Sequence, residues 1–297
     1  MFWGWQAKQD RRDLQATRRL VVHTRAVHTS GVPERDQAAT AVFIELLLIM
    51  VSIAVVVFAI GLLFSGGGLP TLEDLGPAQM LLTPLCWVLA GALYRAFGTR
   101  LDDPGEQRAA VEARPGAAAA WREVGIHCLL AIVGSTLLAQ LLGLVGLEVA
   151  EQEGVKQITS GGFALRADLL FLALSAIVAA PLAEEWLFRG LFFRRLLAVG
   201  SPAAAFTLSA ILFALIHGNP AGFLIYVWLG VVFARVFLRT GRLWTAVAVH
   251  VTNNLVTMAF LVFLPNLGEP SPNAHTDVFA GPQEIVTSSH EEALRRP

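Results

Sequence analysis

Seven apolar runs, at about 41–64, 78–97, 125–147, 168–190, 203–217, 221–238 and 243–264, constrain what this chain can fold into more than any other feature. About 20 apolar residues match the ~30 Å hydrocarbon core of a bilayer, and lipid cannot satisfy the backbone of an open strand, so each run is expected to be a helix. Composition agrees. Apolar residues make up 55% of the 297 and charged residues 15%, against roughly 25% charged in soluble domains. A soluble enzyme is excluded on that balance. The expected fold class is all-α, a polytopic membrane bundle of seven or eight transmembrane helices. The eighth arises if Pro181 divides the long 168–198 stretch into a spanning piece and a second helix.

Net charge is −1, which gives no global field for nucleic acid. Cys86 and Cys128 lie inside apolar runs and read as packed thiols, not a disulfide framework. Basic residues number seven before the first run, five in 95–122, three in 189–195 and three in 235–242. The alternate connections hold none, two and none, and the C-terminal tail two. The positive-inside rule then puts the N-terminus in the cytoplasm and the C-terminus outside, as for a multi-pass protein of the plasma membrane. Four segments follow: a cytoplasmic polar segment 1–40, accessory transmembrane helices 41–164, a core 165–265 and a disordered tail 266–297. The polar stretch 99–121 reads as a loop, and Gly134, Gly143 and Gly146 as small residues that let helices approach.

Ionisable residues at bilayer depth cost about 2.5–3.5 kcal/mol each on insertion scales, so each marks a candidate site. They are Glu45, Glu184, Glu185, Arg189, His217 and His250, with His127 and Asp168 near helix ends. Glu45, early in the first run, is expected to reach the interface. On a helix Glu185 and Arg189 stand at i and i+4 and can pair, leaving Glu184 about 100° round the axis. A turn at Gly200-Ser201-Pro202 makes the flanking helices antiparallel, which brings Glu184 and His217 to one depth. Counted from Arg242, His250 falls about 12 Å in, close to the same layer. A carboxylate facing a histidine suits activation of water, as base and partner or as metal ligands. Asn254, one turn after His250, or its neighbour Asn253, suits stabilisation of an oxyanion.

The order EExxxR (Glu184, Glu185, Arg189), FxxxH (Phe213, His217) and HxxxN (His250, Asn254), each in an apolar helix, resembles the CPBP intramembrane proteases, also called the Abi or type II CAAX-endopeptidase family. The resemblance covers about 165–265. It implies an endopeptidase in which Glu184 and His217 activate water, His250 and Asn254 stabilise the tetrahedral oxyanion, and Glu185 and Arg189 hold the first motif in place. Glu184, His217 and His250 also make up a His2Glu zinc set drawn from three helices, without an HExxH motif. The favoured reading is a metal-independent glutamate base with no cofactor. The implied partners are the bilayer and a membrane-associated peptide or protein substrate, prenylated CAAX-like chains among them.

Two other readings use the same residues. One is a non-catalytic scaffold, immunity or regulatory protein of the same family; the other is a proton-coupled transporter with Glu184 and Glu185 as relay. The charge pattern itself is open to test: reporter fusions are expected to place the N-terminus in the cytoplasm and the C-terminus outside, and the reverse pattern overturns the orientation.

Overall fold

The structure, a computed structural model, describes residues 35–65, 73–97, 114–147, 155, 158–159, 166–198 and 201–263. Among these the chain is helical, without a strand. The helices are α1 (Arg35–Ser65), α2 (Leu82–Phe97), α3 (Ala117–Leu144), α4 (Ala167–Ala198), α5 (Pro202–Ile216), α6 (Phe223–Thr240) and α7 (Leu243–Phe263). A 3-10 turn, Glu73–Leu81, leads into α2. Six of the helices are long and apolar enough to cross a membrane, and α5 is a shorter apolar one. The protein is an integral, multi-pass, all-α bundle. The expected segments 1–40 and 266–297 lie almost wholly outside the described residues.

α4 is the central element, with α2, α5, α6 and α7 all packed against it. α1 covers α2 on one flank, and α3 lies across α6 and α7 on the other. The bundle is apolar outside as well as inside: Phe43, Leu47, Leu62, Leu129, Leu141 and Phe260 are exposed. In lipid such side chains need no further burial, so amphipathicity does not mark the helices here.

The sequence-based boundaries shift in two places. α3 begins at Ala117, inside the stretch read as a loop, because Ala117–Ala120 and Trp121 continue the helix toward its N-terminus. α4 runs unbroken through Pro181, so the chain does not divide there and no eighth helix arises. Two wide π-helical turns, Leu174–Ala179 and Trp186–Phe193, flank the short α-helical piece Ala180–Glu185 and absorb the proline. Pro181 has no N–H to give back to the preceding turn. The Asn254 amide meets the carbonyl of Ala176 instead, at 2.8 Å.

Of the three glycines expected to allow close approach, Gly134 does so and Gly143 and Gly146 do not. No heavy atom lies within 4 Å of where a Cβ on Gly143 or Gly146 would stand, and Gly146 (φ 79) ends α3, where its N–H donates to Gly143 and the Leu147 N–H to Leu142. Gly134 does receive a neighbour: the Trp228 indole fills its Cβ position and donates to the Leu130 carbonyl at 3.1 Å. Gly230 lets α6 close on α5, since a Cβ there would stand 2.9 Å from Ala210 Cα.

Arg-bearing ends of the helices gather at one end of the bundle. Glu45, expected to reach the interface, is instead 2% exposed there. It accepts a hydrogen bond from the Tyr94 hydroxyl and lies 3.6 Å from Arg195, whose guanidinium covers the Tyr94 ring at 4.1 Å. α1, α2 and the end of α4 are thereby tied together. On the opposite flank Glu123 of α3 takes both Nε and Nη2 of Arg239 of α6, at 2.7 and 2.9 Å.

Replacing Gly134 by Val is expected to displace Trp228 and destabilise the protein by about 1–3 kcal/mol, the usual range for overpacking. Thermal unfolding in detergent checks this, with Gly134→Val/Trp228→Leu recovering part of the loss.

Candidate active site

α4 presents two successive glutamates between its two π-helical turns, and wide turns of this kind are frequent where a helix carries function. Glu184 is 5% exposed and Glu185 is wholly buried. One turn on, Arg189 is also wholly buried. Its Nη1 donates to Glu185 Oε1 at 2.8 Å, and its Nη2 donates to the Gly230 carbonyl on α6 at 2.9 Å. The guanidinium lies over the rings of Phe213 (4.7 Å) and Phe233 (5.3 Å). A cation at this depth is tolerable because carboxylate, carbonyl and ring faces surround it.

Glu185 has a second duty that sequence reasoning missed. The same Oε1 accepts a hydrogen bond from His250 Nδ1 on α7, at 2.9 Å. That bond sets the tautomer: with Nδ1 protonated, neutral His250 keeps its lone pair on Nε2. Phe233 stacks on the imidazole at 4.5 Å and 21°, and Phe213 meets it edge-on at 5.8 Å. His250 is therefore fixed on three sides, and its Nε2 points toward Glu184 Oε2 at 4.0 Å. Glu184 Oε2 is shielded and has no hydrogen-bond partner. Arg189 balances one of the two carboxylates, and Glu184 has no cation of its own.

The remaining sequence candidates are drawn in unequally. His217, at the C-terminal end of α5, donates from Nδ1 to the Phe213 carbonyl at 2.7 Å and stacks on Tyr226 at 4.1 Å and 24°. It shares the Phe213 ring with His250, its own centroid 4.7 Å away. Glu184 Oε2 lies 4.0 Å from His250 Nε2; the pairing with His217 that the resemblance implies is a separate matter. Asn254 spends one amide hydrogen on Ala176, and its Oδ1 accepts from Asn253 Nδ2 at 3.3 Å. Phe213 proves to be the central ring of the site, touching Arg189, Phe188, His217, Phe233 and His250.

Among the described residues, no three or more His, Cys, Asp or Glu side chains are grouped so as to hold a metal ion, the set Glu184, His217 and His250 included. What the site does present is one carboxyl group and one imidazole nitrogen across a 4.0 Å gap among buried side chains. Tyr226, Phe233 and Gly230 belong to it as well. They lie on α6, a helix without an acid or histidine, so hydropathy alone does not single them out.

Residues 166–256 match the family model described as "Type II CAAX prenyl endopeptidase Rce1-like". The matched segment, about a third of the chain, runs from the start of α4 into α7, contains every residue of the cluster and is similar to the CAAX protease family. No curated protein and no solved structure matches the chain.

Removing one member of a fully buried ion pair costs about 3–5 kcal/mol, because the other charge is left uncompensated. Arg189→Met is expected to lower stability by that order in detergent unfolding, and Arg189→Met/Glu185→Gln to regain much of it.

Proposed function

We propose that this protein is an intramembrane endopeptidase in which Glu184 is the general base for a water molecule. The observation that carries the reading is the 4.0 Å gap between Glu184 Oε2 and His250 Nε2. Two hydrogen bonds of about 2.8 Å span such a gap at about 90°, near the H–O–H angle of water. Both groups are acceptors, so a water held between them donates both hydrogens and turns its oxygen lone pair outward.

Attack follows from that placement. The water oxygen bonds to the scissile carbonyl carbon as its proton passes to Glu184, and the carbonyl π electrons move onto oxygen. The second amide hydrogen of Asn254, with Asn253 beside it, is the donor offered to the oxyanion. Collapse breaks the C–N bond, and the proton taken by Glu184 goes to the leaving amine. Glu185 and Arg189 are positioning residues that hold His250 in the tautomer the water requires. His217 keeps its place in the site on the other side of Phe213.

The chemistry drawn here needs no cofactor. The substrate is a peptide or protein held at the membrane, with prenylated CAAX-like chains as one class to screen. Arg194 at the end of α4 marks the interface, and Glu184 ten residues earlier lies about 15 Å deeper. We take the arginine-rich end to face the cytoplasm in the plasma membrane, as the positive-inside rule directs.

Cleavage of farnesylated and unprenylated membrane peptides in detergent tests the reading. Glu184→Gln is expected to lower the rate by a factor of about 10²–10⁴, the usual contribution of a positioned base, with the unfolding temperature retained. His217→Ala is expected to lose cleavage as well, and chelators to leave the wild-type rate unchanged. Intact cleavage in Glu184→Gln overturns the base assignment, and absence of cleavage by wild type across the panel favours the scaffold reading.

A further inference from the structure

A second concentration of charge lies away from the Glu184 cluster, where the first two turns of α3 meet the turn between α6 and α7. Arg114 just before α3, Arg122 of α3, and Arg235 and Arg239 of α6 are exposed; Arg114 lies on Gly241 of the turn, and Arg242 of the turn reaches Pro115. Among the described residues the carboxylate recorded in contact with this group is that of Glu123, and Arg239 already holds both of its oxygens. Arg122 stands 3.9 Å from one of them, with its side chain 57% exposed. Among the described residues two guanidinium groups, those of Arg122 and Arg239, thus lie on this one carboxylate.

Two of the other arginines are held in place. Arg242 Nη2 donates to the Pro115 carbonyl at 3.1 Å, while its Nε is shielded and has no hydrogen-bond partner. Arg114 packs on Gly241, whose left-handed φ of 62 leaves no Cβ in the way. Both lie at the N-terminus of α3, where Gly116 gives the first turn no side-chain cap. The amides of that turn add a positive partial charge.

Beside the arginines, Trp121 and Trp244 pack together at 4.8 Å, both exposed. Paired indoles of this kind are characteristic of headgroup depth. Further in along α3, Ile126 and Leu129 are exposed and apolar. A cationic rim, an aromatic edge and an apolar wall thus follow one another along the bundle axis. The same order, phosphate, glycerol and acyl chain, runs along a phospholipid.

We propose that this surface is a docking site for an anionic phospholipid, its phosphate held by Arg114, Arg122 and Arg242 at the start of α3 and its chain lying along α3. Guanidinium forks suit a phosphate diester bidentately. The apolar wall is what separates a lipid from a free phosphate ion.

Native mass spectrometry of the full chain in detergent, titrated with phosphatidylglycerol or with phosphatidylcholine of the same acyl chains, tests it. Wild type is expected to retain phosphatidylglycerol in preference. A basic residue near an anionic surface contributes about fivefold in affinity, so Arg114→Gln/Arg242→Gln is expected to weaken retention about 25-fold and Arg122→Gln about fivefold. Arg95→Gln, an exposed arginine at the same end of the bundle on α2, is expected to change nothing. Equal retention of the two lipids, undiminished retention in both Arg variants, or a matching loss in Arg95→Gln overturns the proposal. Displacement of the lipid by equimolar inorganic phosphate assigns the site to a free anion and overturns it too.

Discussion

One carboxylate oxygen, Glu185 Oε1, carries more of this structure than any other atom. It accepts from Arg189 on its own helix and from His250 on α7, and Arg189 in turn reaches the Gly230 carbonyl on α6. Three helices are locked at one depth by bonds that have no competitor in lipid, where an unmet polar group costs several kcal/mol. The stack of Phe213, Phe233 and His250 closes around that centre and keeps it dry.

The locking has a chemical consequence. Arg189 and His250 both meet Glu185, and Oε2 of the adjacent Glu184 has no hydrogen-bond partner among the described residues. Structural and chemical duties are split between neighbours in sequence. A helix turns about 100° per residue, so one carboxylate faces the arginine and the other the far nitrogen of the same histidine. The two π-helical turns on either side of Glu184 and Glu185 allow a proline, and the fit of Asn254 to Ala176, without breaking α4.

At the arginine-rich end the same principle is applied twice more. Glu45 with Tyr94 and Arg195, and Glu123 with Arg239, join helices whose remaining contacts are mostly apolar. Polar pairs in a membrane bundle give direction to packing that van der Waals contact leaves loose. The outer helices α1 and α3 each have one such tie, and the core helices meet at Glu185.

Hydropathy alone determined that this chain is a bundle of membrane helices, because their length and apolarity are properties of contiguous residues. Local spacing also made the Glu185–Arg189 pair legible, since i and i+4 share a face of any helix, and the order of three short motifs pointed to the residues of the site. The partners chosen across helices were not legible. That His250 binds Glu185 and faces Glu184, that Glu45 is buried against Arg195, and that Gly134 and Gly230 carry close contacts while Gly143 and Gly146 do not, all depend on how each helix is rotated about its axis. In a bundle exposed to lipid, apolar residues cover both faces and leave no hydrophobic stripe to report that rotation. Only the packing of α4 among α2, α5, α6 and α7 decided it.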